Sequence, residues 1–337
     1  MQVQENISLK KFNSFGIDVS AAYFASFSSQ EELASILTET DNRKSLLVLG
    51  GGSNILFTRN VDGLVLKNEI SGISRIGEDE EYYYIKAGAG ENWHGFVLHS
   101  IENGYAGVEN LALIPGSVGA SPMQNIGAYG VEIKDVFHSL EAFHIADKMM
   151  HQFSNADCGF GYRESVFKHQ FKNQFIITSV TYRLRKNPVY NVSYGAITQE
   201  LEAMNVKELS IQHIAKAVMN IRRSKLPDPA QIGNAGSFFK NPEIDSAVFE
   251  KLKLEFPGIV GYPVNNNRIK LAAGWLIEQC GWKGYRKGDA GCHSKQALVL
   301  VNYGNADGDA IYELSEAILQ SVKNKFAVDL EREVNIY

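Results

Sequence analysis

Residues 105–131, YAGVENLALIPGSVGASPMQNIGAYGV, exclude more folds than any other stretch of this chain. Gly, Ala and Ser crowd the segment, and Pro115 and Pro122 interrupt it, so it sustains no helix of useful length. Its valines, leucines and isoleucines are nevertheless too many for a disordered linker. An irregular segment that is also apolar must find partners for its main-chain N–H and C=O groups. Small residues let backbone approach backbone, or backbone approach a ligand, and the segment is read as a loop of that kind.

Regular elements flank it. Ser29 precedes Glu32 at capping-box spacing, which predicts a helix over 29–37, and SLLVLGGGSNIL at 45–56 reads as strand, glycine turn and second strand. EYYYIKAGAG at 81–90 alternates as a strand does, and ENWHGFVLHSIENG has helical spacing ending on Gly104. FIITSVTYRLR (175–185) predicts a strand, and IQHIAKAVMNIRRSKLP (211–227) a helix stopped by Pro227. A domain boundary is placed near 220–230. Beyond it the spacing predicts a helix over 269–281, a strand over 297–302, a helix over 309–326 and a final strand in VDLEREVNI. The chain is therefore mixed α and β.

With 337 residues, 45% hydrophobic and 21% charged, the chain is long enough for two or three domains. A net charge of -5 supplies no basic field, so nucleic acid is not expected as a partner, and any anionic ligand must be met by local groups. Cys158, Cys280 and Cys292 form no C-x-x-C and are read as free thiols of a reducing compartment. The N-terminal segment has no apolar h-region, and no window approaches the roughly 18 apolar residues of a membrane span. A cytoplasmic, soluble protein with no membrane partner is expected.

Gly50, Gly51 and Gly52, followed by Ser53 and Asn54, offer successive N–H groups to an anion, or form a tight turn between strands. GAGENW at 88–93 opens like a dinucleotide fingerprint, but Trp93 stands where the third glycine belongs. The eight histidines show no ligand spacing, so no metal site is predicted. In GFGYRESVFK, Arg163 is a fork suited to carboxylate or phosphate, or one half of a solvated Arg–Glu pair. Strand alternation in LEREVNIY puts Glu331, Glu333 and Asn335 on one face and Arg332 and Val334 on the other. Ser237, in GNAGSFFKNP, is a hydroxyl with no base beside it in sequence.

LGGGSN, GVENLALIPGSVGASPMQNIGAYGVE, FGYRESVFK, YG at 194–195, SKLPDP, GNAGSFFKNP, KLAAGWLIEQCG, HSKQALVLVN and the E-V of LEREVNI stand in one order across nearly the whole chain. In that order they resemble the UDP-N-acetylenolpyruvoylglucosamine reductase family, and YG with the GYP of 261–263 resembles its longer, first type. The resemblance implies an α+β fold with two FAD-binding subdomains of the PCMH/VAO-like kind, 1–70 and 71–227, and a C-terminal α+β substrate domain, 228–337. It implies FAD as cofactor, NADPH as co-substrate and hydride donor, and the enolpyruvyl ether of UDP-N-acetylglucosamine as the partner reduced by a monomeric enzyme. No histidine stands between 45 and 60, where related oxidases attach flavin, so the FAD is expected to be non-covalent.

Residue by residue, the resemblance puts Gly50, Gly51, Gly52, Ser53, Asn54 and Ile55 on one side of the flavin. Pro115, Gly116, Ser117, Gly119, Ala120 and Ser121 take the other side, with Gln124, Asn125, Gly127 and Ala128 completing it. Arg163 and Glu333 match the groups that stabilise the charge developing on the substrate carboxylate, and Ser237 matches the proton donor. Tyr129, Tyr162, Tyr194 and Lys225 match substrate contacts, as do Asn241, Tyr262, Lys270 and Gln296. Where the family carries an arginine two residues after the glutamate, this chain has Asn335. Three other readings differ in what they require. A serine hydrolase needs a base and an oxyanion hole that no motif supplies. A non-catalytic nucleotide-binding protein has no use for Arg163, Ser237 and Glu333 together, and another FAD-dependent oxidoreductase of this fold has no use for the substrate contacts.

Overall fold

The computed structural model describes residues 3–40, 45–264 and 267–337. The chain divides into two compact units built from interleaved segments. One takes Met1–Ile7, Ser20–Gly52 and Val61–Ser224, and the other takes Ser8–Val19, Ser53–Asn60 and Lys225–Tyr337.

Two large sheets, with a short hairpin of Gly127–Ala128 and Val131–Glu132, make up the strands described in the first unit. In the smaller, strands Ser20–Phe27 and Leu46–Leu49 both pair in parallel with Val61–Asn68. Parallel strands need a crossover, and helix Gln30–Glu39 provides the one from Ser20–Phe27 to Leu46–Leu49, which flank Val61–Asn68 on either side. Its capping residues behave as their spacing predicts with one shift: Ser29 Oγ accepts from Glu32 N at 3.1 Å, while the Glu32 carboxylate accepts from Ser28 N. The larger sheet has the strand order 150–154, 137–144, 175–185, 82–88, 73–78 and is antiparallel throughout. Its central strand, Phe175–Arg185, is buried nearly end to end because both faces are covered. Alternation sends the paired residues Ala142 and Ile177 into one core and Phe143 and Ile176 into another. Helix Ile211–Lys225 closes the larger core with Ile211, Ile214, Ala215, Val218 and Ile221, a single helical stripe.

The second unit holds an antiparallel sheet in the order 233–234, 300–302, 290–292, 286–287 and a three-stranded one in the order 243–245, 268–271, 261–264. Helix Gly308–Phe326 buries Ile311, Leu314, Ile318, Val322 and Phe326 and ends on Ala327 at φ 53. Segment 8–19 is tied in by Ser14 Oγ, which donates to Asn234 O at 2.6 Å, and by Asn302 Nδ2, which donates to Phe15 O at 3.0 Å.

Two stretches differ from their periodicity. IKLA begins as strand Arg268–Leu271, and helix starts only at Ala273. The strand's edges are paired on both sides by 243–245 and 261–264, and that pairing overrides an ambiguous apolar run. VDLEREVNI forms no continuous ladder: Arg332 bridges Phe239, and only Asn335–Ile336 is strand, parallel to Ile55–Leu56. The predicted two-faced alternation holds in part: Glu331 and Asn335 are exposed and Val334 is buried, whereas Arg332 and Glu333 are both half-buried. All three cysteines are free, and burial pushes the Cys158 and Cys292 thiols up to about 12. No helix among the described residues is long and apolar enough to cross a membrane.

Candidate active site

Strand Leu46–Leu49 delivers the chain to Gly50–Gly52, where the first unit brings residues 116–119 against it. A Cβ built on Gly51 would lie 2.8 Å from Gly116 Cα, so only glycine permits this approach. The facing loop is held from behind: Trp93 N donates to Gly116 O at 3.0 Å, Val118 N to Glu91 O at 2.9 Å and Gly119 N to Ala89 O at 2.9 Å. Trp93 itself is fully buried and donates Nε1 to Leu111 O, which fits a core residue and not a fingerprint glycine position. Among the described residues, no protein acceptor takes the N–H groups of Gly50, Gly51, Gly52 or Gly116. Unclaimed main-chain donors on a glycine turn suit phosphate oxygens, so these residues fit a diphosphate-containing cofactor.

The FGYRESVFK motif is a tight turn, Gly161 and Glu164 exchanging main-chain hydrogen bonds with Tyr162 and Arg163 between them. Arg163 takes φ 57, the left-handed region that costs a residue with a Cβ about 1–2 kcal/mol. Asn125 and Ser165 bind this turn to the 115–128 loop. Asn125 Nδ2 donates to Gly161 O at 2.9 Å and to Glu132 Oε2 at 3.0 Å, its Oδ1 accepts from Lys134 N, and Ser165 Oγ donates to Met123 O at 2.6 Å. Arg163 Nη2 donates to Gly127 O at 2.7 Å, so its guanidinium is oriented before any ligand arrives. Asn125 and Ser121 are fully buried, the latter sharing a 2.7 Å hydrogen bond with Tyr182, and both hold the loop's shape from within.

Tyr129 is also left-handed, at φ 50, and its ring meets that of Tyr194 edge-on at 5.3 Å. Asn110 Nδ2 positions both segments, donating to Tyr129 O at 3.0 Å and to Asn191 O at 2.9 Å. Burial pushes the Tyr129 phenol upward. Behind it Arg222 Nε donates to Leu113 O at 3.2 Å, and His94 Nδ1 accepts from Leu113 N, which puts the His94 proton on Nε2. Burial, with Arg223 and Arg222 nearby, pushes the His94 pKa down and keeps the ring neutral. Asn110, His94 and Arg222 had no sequence signal as positioning residues, since an isolated Asn, His or Arg carries none.

In the second unit, Glu333 N donates to Phe238 O at 2.8 Å and Lys240 N to Glu331 O at 2.8 Å. This pairing of 238–240 with 331–333 brings the half-buried Ser237 and Glu333 to neighbouring main-chain positions. No hydrogen bond from the Ser237 hydroxyl to a protein group is made among the described residues. The buried ammonium of Lys240 pairs with Glu331 at 2.7 Å. Asn54 Nδ2 donates to Glu333 O at 3.2 Å, and Asn335, through N and Nδ2, donates to Asn54 O at 3.2 and 2.9 Å. Asn335 thus clamps the segment that carries Glu333, a use of this position that needs no charge.

Of the predicted substrate contacts in this unit, Tyr262 and Lys270 are cross-strand partners, and Glu243, 3.4 Å from the Lys270 ammonium, sits opposite on the other side. Asn241 Oδ1 accepts from Ala273 N at 3.0 Å, and Gln296 Oε1 lies where a Cβ on Gly274 would meet it, at 2.9 Å. Helix start Ala273–Gly274 thereby gathers Asn241 and Gln296. Lys225 is exposed at the end of its helix.

Comparison with known proteins gives these motifs their context. Across the whole chain, 49% of residues are identical to a UDP-N-acetylenolpyruvoylglucosamine reductase of Flavobacterium johnsoniae, itself covered completely, and 51% to that of Amoebophilus asiaticus, 99% covered. The chain belongs to the UDP-N-acetylenolpyruvoylglucosamine reductase family. A family model described as the C-terminal domain of this reductase matches residues 228–337, and one described as an FAD binding domain matches residues 21–152. Both glycine walls lie within the latter match, and FAD is the cofactor of this family fold. The crystal structure of the reductase from Thermus caldophilus shares the fold, with a TM-score of 0.69, 24% identity, and 100% and 99% of the two chains covered.

Proposed function

We propose that this chain reduces the enolpyruvyl ether of UDP-N-acetylglucosamine to UDP-N-acetylmuramate in peptidoglycan synthesis, using NADPH. Residues 1–70 and 71–227 form the FAD-binding subdomains and 228–337 the substrate domain. FAD, bound without a covalent link, supplies hydride transfer from NADPH to C3 of the enolpyruvyl group. Gly50, Gly51, Gly52 and Gly116 hold its phosphates with main-chain N–H groups, Ser53, Asn54 and Ile55 continue that wall, and Pro115–Ala128 lines the other.

A hydride arriving at C3 pushes negative charge toward the carboxylate, and groups fixed beforehand stabilise such charge best. Arg163 and Glu333 carry that role: the guanidinium of the first is oriented through Gly127, and the main chain of the second is held through Phe238 and Asn54. Ser237 donates the proton that C2 requires, acting as a general acid and not as a nucleophile. The observation that carries this assignment is the 238–240 with 331–333 pairing, which brings Ser237 and Glu333 to neighbouring main-chain positions, together with a Ser237 hydroxyl that makes no hydrogen bond to a protein group among the described residues. Tyr129, Tyr162, Tyr194, Lys225, Asn241, Tyr262, Lys270 and Gln296 hold the nucleotide sugar, the rings by their faces and the cations and amides by polar contact. The enzyme is taken to be monomeric and cytoplasmic, where both small substrates diffuse freely.

The test is product analysis. Purified protein given NADPH and the enolpyruvyl sugar should oxidise one NADPH for each sugar that gains two hydrogen atoms. NADPH oxidation that depends on oxygen and leaves the sugar unchanged would overturn the proposal.

A further inference from the structure

Away from these residues, at the tip of the hairpin formed by strands Phe137–His144 and Met150–Ser154, three side chains converge. Ring nitrogens of His144 and His151 and a carboxylate oxygen of Asp147 all lie within 4.8 Å of one another, the one such group of His, Cys, Asp or Glu among the described residues. We propose that His144, Asp147 and His151 bind one divalent transition-metal ion of the zinc class.

The geometry carries the assignment in three ways. First, both imidazoles address a single oxygen: His144 Nδ1 lies 2.8 Å and His151 Nε2 2.9 Å from Asp147 Oδ2. His144 Nδ1 is buried and, despite that distance, makes no hydrogen bond of good geometry. A metal at about 2.0–2.1 Å from each ligand would use that lone pair and replace the protons now packed between the groups. Second, the ligands are held in place without a metal. Asp147 Oδ1 accepts from Met149 N at 2.8 Å, which leaves Oδ2 directed at the rings. His144 N donates to Met149 O, and Lys148 N donates back to His144 O, closing the turn. Phe175 stacks on His144 at 4.6 Å and meets His151 edge-on at 5.5 Å, so neither ring swings freely. Third, the cluster is partly exposed, with side-chain exposures of 22%, 43% and 41% for His144, Asp147 and His151, so water can complete a tetrahedral shell. Two imidazoles and one carboxylate select zinc, copper or nickel over magnesium or calcium, which prefer all-oxygen shells.

Such an ion cross-links the two ends of the hairpin turn in the first unit, apart from the residues assigned to the reaction. Calorimetric titration of the FAD-bound protein with zinc chloride tests this. One equivalent should bind saturably, and magnesium chloride should give no saturable heat. His151→Ala removes one ligand, and His144→Phe removes another while keeping a ring stacked on Phe175; each should weaken binding roughly tenfold or more. His138→Ala, an exposed histidine outside the cluster, should leave binding unchanged, and retained flavin absorbance shows that each variant is folded. Absence of saturable zinc binding, or binding unaltered by both ligand substitutions, would overturn the proposal.

Discussion

Asn125 offers the sharpest test of how the two signature loops are joined. Its side chain makes three hydrogen bonds, to Gly161 O, Glu132 Oε2 and Lys134 N, while its backbone sits at φ 45. Asn125→Ala removes all three, at about 1 kcal/mol each net. It also asks alanine to hold a left-handed conformation that asparagine tolerates, for about 1 kcal/mol more. The sum is roughly 3–4 kcal/mol, a large fraction of a typical domain's stability. Asn125→Gly loses the same bonds without the conformational cost and should be milder than alanine by up to about 1 kcal/mol. Urea unfolding of the FAD-bound protein, followed by flavin fluorescence and far-ultraviolet circular dichroism, measures both variants. Because one of the lost bonds joins the 115–128 loop to the Arg163 turn through Gly161 O and the other two hold that loop to Glu132 and Lys134, flavin release should begin at lower urea than global unfolding. A cost below about 1 kcal/mol for Asn125→Ala would refute the claim that this side chain holds the loops together.

Two further outcomes are expected. Burial pushes the Glu109 carboxyl above its ordinary value of 4.5, although it accepts from Gly107 N at 2.6 Å. The folded protein therefore holds this proton more tightly than the unfolded chain, and stability falls as pH rises above the unfolded pKa until the folded pKa is passed. Glu109→Gln should flatten that part of the stability profile, and an unchanged slope would show that another group is responsible. Acid precipitation should release the yellow colour into the supernatant, since no histidine stands by the Gly50–Gly52 loop; colour retained in the pellet would mean a covalent link elsewhere.

Periodicity made the long elements legible. The stripe Ile211, Ile214, Val218, Ile221 and the run FIITSV read as helix and strand because their burial follows their own local repeat. Elements decided by partners distant in sequence were not legible. Arg268–Leu271 is a strand because of its neighbours on both sides, and segments 8–19 and 53–60 join the C-terminal unit through contacts that leave no mark in their composition. The site divides in the same way. Glycine walls announce themselves, because close backbone approach excludes every other residue. The roles proposed for Arg163, Ser237 and Glu333 rest on the resemblance, since a lone arginine, serine or glutamate is chemically ambiguous. Asn110, Asn125 and Asn335 act through side-chain hydrogen bonds to main chain distant in sequence, which no spacing rule anticipates.

The central claim, that Ser237 gives the proton to C2, is tested most directly by resolving the two half-reactions of Ser237→Ala in a stopped-flow instrument. NADPH reduces the flavin without any proton at C2, so that rate should be nearly unchanged. Reoxidation by the enolpyruvyl sugar should slow by roughly 10²–10⁴-fold, the usual contribution of a positioned general acid. Sugar binding should persist, because an interaction made only in the transition state is lost from turnover and not from affinity. Equal slowing of both half-reactions, or reoxidation at the wild-type rate, would contradict the assignment.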